Sequence, residues 1–215
     1  LRADVLPDDR AEDGKTRWAY SLQHSHLITP RMRGWVNYQG ASDDTYFVDL
    51  SNKVAATSQT NLPREFGLSY NGDWWSLLAR TQRFQTLQDP LAPVDPPYSR
   101  VPQLVLNAAQ QDLYGLDLQF FGELVNFDNP DKLSAVRQVY YPAAVYPVRG
   151  SFWYVAPKLG VNHTIYAYQN SSRGDDTRTL PIFSVDSGMA FDRATAFFGR
   201  SYRQTLEPRL YYVYI

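Results

Sequence analysis

The sequence predicts an all-β chain: about ten antiparallel, up-and-down strands forming a segment of a larger transmembrane β-barrel. Three observations carry that prediction. Strand-like runs are separated by short and long gaps in alternation. Within the runs, apolar and polar residues alternate with a period of two, which gives a strand one greasy and one wet face. Aromatic residues make up 15% of the chain and gather at run ends. Outer-membrane barrels join tight turns on one side, long loops on the other, and an aromatic girdle at each interface.

The gaps run as follows. Leu27–Arg31 joins the first run to the second, and Ser42–Arg64 joins the second to the third. Asn71-Gly72-Asp73 is tight and Gln88–Pro102 long. Gln111–Gly115 is short, Phe127–Ala135 longer, Pro147–Gly150 short and Gln169–Arg178 long.

The runs themselves alternate. In Arg17–His26, Trp18, Tyr20 and Leu22 share one face, opposite Arg17, Ala19, Ser21 and Gln23. In Arg64–Tyr70, Phe66, Leu68 and Tyr70 oppose Glu65, Gly67 and Ser69. Trp74–Leu87 sets Trp75, Leu77 and Ala79 against Ser76, Arg80 and Gln82, with Leu78 out of pattern. It is longer than a soluble strand usually is. Gln103–Gln110 sets Leu104, Leu106 and Ala108 against Gln103 and Asn107. Leu116–Asn126 is clearest: Leu116, Leu118, Phe120 and Leu124 oppose Asp117, Gln119 and Glu123, with Phe121 and Val125 as exceptions. In the long run Phe152–Tyr168, Pro157 lacks an N–H and should force a bulge or local break. No run sustains a 3.6-residue period, so very little helix is expected.

With the short turns toward the periplasm, Trp74, Trp75, Tyr114, Phe152, Trp153 and Tyr154 fall near the inner interface. Trp18, Tyr20, Phe84, Tyr166, Tyr168, Tyr211, Tyr212 and Tyr214 fall near the outer one. Tyr and Trp suit a place that is apolar at one end and wet at the other. A soluble sandwich could also bury its aromatics, but it would rarely sort its loops by length so regularly.

Composition narrows the function. The 215 residues suffice for one large domain or part of a bigger one. The chain does not begin with Met and shows no signal-peptide pattern, so it reads as a mature segment or an excised piece. No stretch approaches 18 consecutive apolar residues, which excludes a membrane helix but not barrel strands of about 9–11 residues. The net charge is −1 and no basic run exists, so a nucleic-acid footprint is absent. Without cysteine there is no disulfide framework or thiolate metal site within these residues.

Three groups invite chemistry. His24-Ser25-His26 suggests a hydrolase or metal story, yet both histidines share one face at a strand end. No third ligand, base or orienting group follows by spacing. Asp43, Asp44 and Asp49 follow no EF-hand spacing, so a divalent-cation site is not favoured over an ordered loop folding inward. Four prolines (Pro90, Pro93, Pro96 and Pro97) stiffen the next long loop. Glu207 and Arg209 share a face with Thr205, while Leu206, Leu210 and Tyr212 take the other. An arginine facing lipid at mid-depth costs roughly 2–4 kcal/mol, so the charged pair should face the lumen. Pro208 between them should mark a bulge. No catalytic, cofactor or metal residues are assigned, and an enzyme is not expected. Lumen-facing candidates are Arg80, Asp117, Glu123, Glu207 and Arg209. Membrane-interface aromatics are Trp18, Tyr20, Trp74, Trp75, Trp153 and Tyr212.

Several motifs add a resemblance. Asp4-Val5-Leu6-Pro7-Asp8-Asp9-Arg10 is followed by Arg17-Trp18 and His24-Ser25. Then come Ser42-Asp43-Asp44-Thr45-Tyr46-Phe47, Asp49 and Asn52-Lys53. Gln204-Thr205-Leu206-Glu207-Pro208-Arg209 follows near the end, with Tyr212 and Tyr214. In this order and spacing they resemble the barrel of the LptD family, the lipopolysaccharide-assembly (organic solvent tolerance) proteins. The resemblance implies part of a single barrel of about 26 strands in the outer membrane of a Gram-negative bacterium, residues 1–215 lying within it. It implies that an N-terminal jellyroll, the seam strands and the family's disulfide cysteines lie elsewhere. Implied partners are an LptE-like lipoprotein plug, lipopolysaccharide, membrane lipid and, through the jellyroll, the periplasmic Lpt bridge proteins.

Two other classes fit less well. A porin-like or other transport barrel would lack an upstream jellyroll and show a constriction loop with facing charges. A secreted carbohydrate-binding β-sandwich would use exposed Trp and Tyr and stay in the aqueous fraction on membrane extraction.

Overall fold

The computed structural model describes residues 1–50, 60–89, 91–169, 171–172 and 174–215. Asn52 and Lys53 of the loop motif and Pro90 of the proline-rich loop lie outside the described residues. Among those described, the chain is almost entirely strand. It begins with β1 (Arg2–Asp9), a 3-10 turn (Arg10–Glu12), β2 (Lys15–Thr29), β3 (Met32–Ala41) and a one-turn helix α1 (Tyr46–Leu50). There follow β4 (Asn61–Asn71), β5 (Trp75–Thr86), β6 (Ser99–Leu113), β7 (Leu116–Asp128), β8 (Ala135–Val145) and β9 (Val148–Arg149). The last are β10 (Trp153–Tyr168), β11 (Asp176–Met189), β12 (Phe191–Phe197), β13 (Arg200–Leu206) and β14 (Arg209–Tyr214). Strand order follows chain order from β1 to β8, then β10, β11 and β14, with the two-residue β9 attached to β10. This is the up-and-down antiparallel arrangement that alternating gaps demand. No described helix is long and apolar enough to cross a membrane, which leaves strand crossings open.

By its contacts the chain divides into two compact units. The first comprises Leu1–Leu106, Glu123–Gln138 and Tyr166–Asp176. Here Trp35 stands opposite Gly67, Asn37 opposite Glu65, and Gln82 opposite Glu65 on the far side of β4. A Cβ at Gly67 would run into the Trp35 indole. The ring lies flat over the strand because that position is bare, an aromatic covering a glycine. Trp18, Tyr20 and Tyr38 stack in sequence on the opposite face, with centroids 5.5 and 5.8 Å apart. Under α1, Ala19, Ala41, Tyr46, Leu62 and Leu87 form a small buried cluster.

The second unit comprises Asn107–Gly122, Val139–Ile165 and Thr177–Ile215. Its last hairpin is longer than the sequence suggests. β11 pairs β14 up to Gly188 opposite Arg209, and β12 pairs β13 from Phe191 opposite Leu206. Two residues lie between these pairs on each strand, so one register runs through. Pro208 therefore interrupts the ladder without the expected bulge. It lacks the N–H, while its carbonyl still accepts from Met189 N at 3.0 Å. The tip turns at Phe198 and Gly199, both with positive φ, a geometry glycine adopts without steric cost.

Three further expectations are corrected. Pro157 does not break its strand, since β10 runs unbroken through it. Its carbonyl takes the Tyr146 N–H just past the end of β8, so its missing donor falls in the break between β8 and β9. His24 and His26 lie inside β2, opposite Val36 and Gly34, and not at a strand end. β1, outside the ten expected runs, pairs with β2 from Arg2 opposite Ser21 to Asp9 opposite Lys15.

Candidate functional site

Alternation puts Glu65, Arg80, Gln82, Gln103, Glu123 and Arg137 on the polar face of five consecutive strands of the first unit. They join into one belt. Glu65 accepts from Trp35 Nε1 and from Gln82 Nε2, each at 2.6 Å. Arg80 Nη1 lies 3.7 Å from Glu65. Arg80 Nε donates to Gln103 Oε1 at 2.6 Å, and Gln103 Nε2 donates to Glu123 Oε1 at 2.6 Å. Arg137 Nη2 closes the belt on Glu123 Oε2 at 2.5 Å, its guanidinium 5.1 Å from the Phe127 ring centroid. Gln103 is buried, and so is most of the Glu123 side chain. Such groups are tolerated because nearly all are paired. The two carboxylates and two guanidiniums alternate, so the belt is polar yet balanced. It has no nucleophile–base pair and offers no proton-transfer chemistry.

A second cluster fixes the loop after β3. Arg17, on β2, is 3% exposed. Its guanidinium donates to Asp43 at 2.6 and 2.9 Å, to Asp49 at 3.0 Å, to Thr45 at 3.2 Å and to Asp9 at 3.3 Å. Backbone bonds join Ser42 N to Trp18 O and Trp18 N to Ser42 Oγ. Burial pushes the Asp43 carboxyl up, but hydrogen bonds from Arg17 and Ser42 outweigh it and hold the group below the usual carboxylate range. The acidic residues of this loop thus bind a guanidinium. Among the described residues no cluster suited to a metal ion occurs. The next two long loops are tied as well: Lys132 reaches Asp95 at 2.8 Å, Asn129 donates to Pro96 O at 2.9 Å, and Tyr98 to Leu133 O at 3.1 Å.

The residues singled out from sequence are distributed unevenly over these features. Arg80 and Glu123 are belt members. Asp117 caps the tight turn before β7, accepting from Asp112 N at 2.9 Å. Arg209 forms a two-point pair with Asp186 at 2.6 and 2.8 Å, and Tyr154 OH donates to the same carboxylate at 3.3 Å. Glu207 sits in the ladder gap beside Pro208. Trp18 and Tyr20 stack, Trp75 packs on Tyr70 at 5.0 Å, and Trp74 and Trp153 are exposed near tight turns. Tyr212 stands opposite Val185. Gln103, Arg137, Asp186 and the anchoring role of Arg17 were missed. Their partners lie 8 to 32 residues away, and only register brings them together.

Residues 15–215 match the family model described as LPS transport system D. Among curated proteins the chain is similar to the LPS-assembly protein LptD of Nitrosospira multiformis, 42% identical over 225 residues, covering all of this chain and 24% of that protein. The LPS-assembly proteins LptD of Aromatoleum aromaticum and Azoarcus sp. are each 45% identical, over 219 and 224 residues, covering 99% of this chain and 27% of theirs. The chain thus spans about a quarter of the length of the curated relatives it matches. With the match running from residue 15 to the last residue, on strands in the expected up-and-down order, this chain belongs to the LptD family.

Proposed function

We propose that residues 1–215 form part of one outer-membrane barrel domain of a translocon that assembles lipopolysaccharide into the outer leaflet. The jellyroll and the seam strands belong to other parts of the full-length protein. The role is transport, with no covalent step.

The belt from Glu65 to Arg137 carries this reading. In hydrocarbon a row of charges and amides would be prohibitively placed, whereas a wet lumen suits it. The opposite face presents Phe66, Leu68 and Leu104, all exposed, as a lipid-facing surface should. The belt then faces the lumen and meets an LptE-like lipoprotein plug or passing lipopolysaccharide, while Trp18, Tyr20, Trp75, Trp153 and Tyr212 meet the interfaces. Contact with the periplasmic bridge proteins runs through the jellyroll.

Photo-crosslinking from Arg80, Glu123 and Glu207 in the full-length protein tests this. Adducts to a small lipoprotein or to lipopolysaccharide are expected. Adducts to bulk phospholipid alone would reverse the face assignment.

A further inference from the structure

The hairpin β12–β13 carries two arginines that nothing above uses. Its seven cross-strand pairs, Phe191–Leu206 through Phe197–Arg200, form a two-stranded sheet of their own. An isolated two-stranded hairpin is marginal in water, and this one exposes Phe191, Phe197, Phe198, Tyr202 and Leu206.

The unbroken register says which face it presents. Ser187 stands opposite Leu210, and Val185 opposite Tyr212. Continuing by twos, Met189, Phe191, Arg193, Thr195 and Phe197 lie on that same face, with Leu206, Gln204, Tyr202 and Arg200 on the partner strand. The greasy face of β11 and β14 therefore continues past the Pro208 gap. Phe152 meets Phe191 at the gap, centroids 5.9 Å apart. Arg193 follows two residues later, about 7 Å further on.

The charges sort by face. On the other side Arg209 pairs with Asp186, and Arg203 with Asp192. On the greasy side Arg193 donates only to the neutral amide of Gln204, at 2.8 Å. Among the described residues neither Arg193 nor Arg200 has an ion-pair partner. Arg193 stands two residues past the level of Phe191, and Arg200, opposite Phe197, stands nearer the tip on the same face.

We propose that β12–β13 seats in the phospholipid headgroup layer on the tight-turn side of the membrane. Arg193 binds lipid phosphate, Arg200 reaches headgroups from nearer the tip, and Phe191 and Leu206 sit at the hydrocarbon border, with Tyr202 between the two arginines. Guanidinium forks match phosphate oxygens, and aromatic rings favour that depth. This rests on the barrel reading above. A protein strand on the same face would leave both cations without an anion unless it supplied carboxylates at matching positions.

The test places a benzophenone amino acid at Tyr202 or at Leu210 in the full-length protein, reconstituted in vesicles of phosphatidylethanolamine and phosphatidylglycerol. Both positions are expected to give phospholipid adducts. With Arg193→Gln and Arg200→Gln together, the Tyr202 adduct should fall about fivefold or more while the Leu210 adduct persists. Arg193→Lys with Arg200→Lys should retain most of it. A peptide adduct or none at Tyr202, with lipid at Leu210, overturns the proposal and leaves the barrel standing. A Tyr202 lipid adduct insensitive to the glutamines overturns phosphate binding. Loss of lipid adducts at Leu210 in the unsubstituted protein removes the barrel reading and the proposal with it.

Discussion

Arg17 holds Asp43 by two points, Nη2 to Oδ1 at 2.6 Å and Nε to Oδ2 at 2.9 Å, across 26 residues of chain. This pair, with Asp49 on the same guanidinium, closes the loop after β3 against β2. Removing the arginine strands carboxylates in a site built for a cation. In the full-length protein, Arg17→Met should destabilise the loop by about 3 kcal/mol. Protease cutting between Ser42 and Leu50 should then appear. Arg17→Lys should fall between, since an ammonium cannot reproduce the two-point geometry. Unchanged protection in Arg17→Met would show that the loop is held by α1 packing alone.

The same pair sets a pH dependence. The Asp43 carboxyl lies below its ordinary range in the folded protein. A depressed carboxylate adds stability at pH above its unfolded value, near 4, and that stability drains as pH falls through the folded value. Loop protection measured by hydrogen exchange should be flat from neutral pH down to about 5 and decline below about 4. Asp43→Asn should weaken protection at pH 7 and flatten this acid limb. An acid limb of equal steepness in the variant would assign it to another group.

The belt makes a prediction of coupling. Glu123 takes Gln103 on one oxygen and Arg137 on the other. Glu123→Leu leaves the Arg137 guanidinium beside Phe127 without its carboxylate, and should cost about 3 kcal/mol. Adding Arg137→Leu should recover part of the loss, because two matched apolar groups cost less than one orphaned charge. Urea midpoints of the full-length protein in detergent measure both. A double variant as unstable as the sum of the singles would mean the two side chains act independently.

Much of this geometry was legible in the chain, and the illegible part has a physical cause. The faces of β2, β4, β5 and β7 follow from a period of two, so the polar side of Arg80 and Glu123 could be read directly. Their partners could not. Gln103 meets Glu123 only because a particular tight turn sets the register of β6 against β7, and sequence spacing does not encode that. β1 is hard to read as a strand because its apolar face holds only Ala3, Val5 and Pro7, too short a run for alternation to mark, and pairing with β2 makes it one. The hairpin after β11 was hidden because its turn is Phe198-Gly199, without the Asn-Gly or Asp-Gly signal. The resemblance supplied the family where strand patterns supplied only the architecture.

Gly67 tests the packing of the belt from below. Trp35 lies over it and donates to Glu65. Gly67→Val should lift the indole, break that hydrogen bond and cost roughly 1–3 kcal/mol by overpacking. Trp35→Phe keeps an aromatic ring but loses the N–H and part of the indole's contact area, so it should cost roughly 1–3 kcal/mol. An unchanged urea midpoint in Gly67→Val would show that the close approach over glycine carries no effect.

The two ends of the strand order differ in kind. β1 carries Arg2, Asp4, Pro7 and Asp8, charges and a proline that discourage added strands. β14, Arg209–Tyr214, reads RLYYVY and has one charge, already held by Asp186. Among the described residues each is paired on one side only. An unpaired edge in hydrocarbon costs several kcal/mol per group. Residues 1–215 expressed alone should therefore give no monodisperse folded species in detergent, and should associate through β14. Lysines at Tyr212 and Tyr214 should raise the soluble fraction severalfold, while lysines at Ala3 and Val5 should change it little. A sharp monomeric peak with full strand circular dichroism from the unsubstituted chain would mean that its edges find partners within the chain itself.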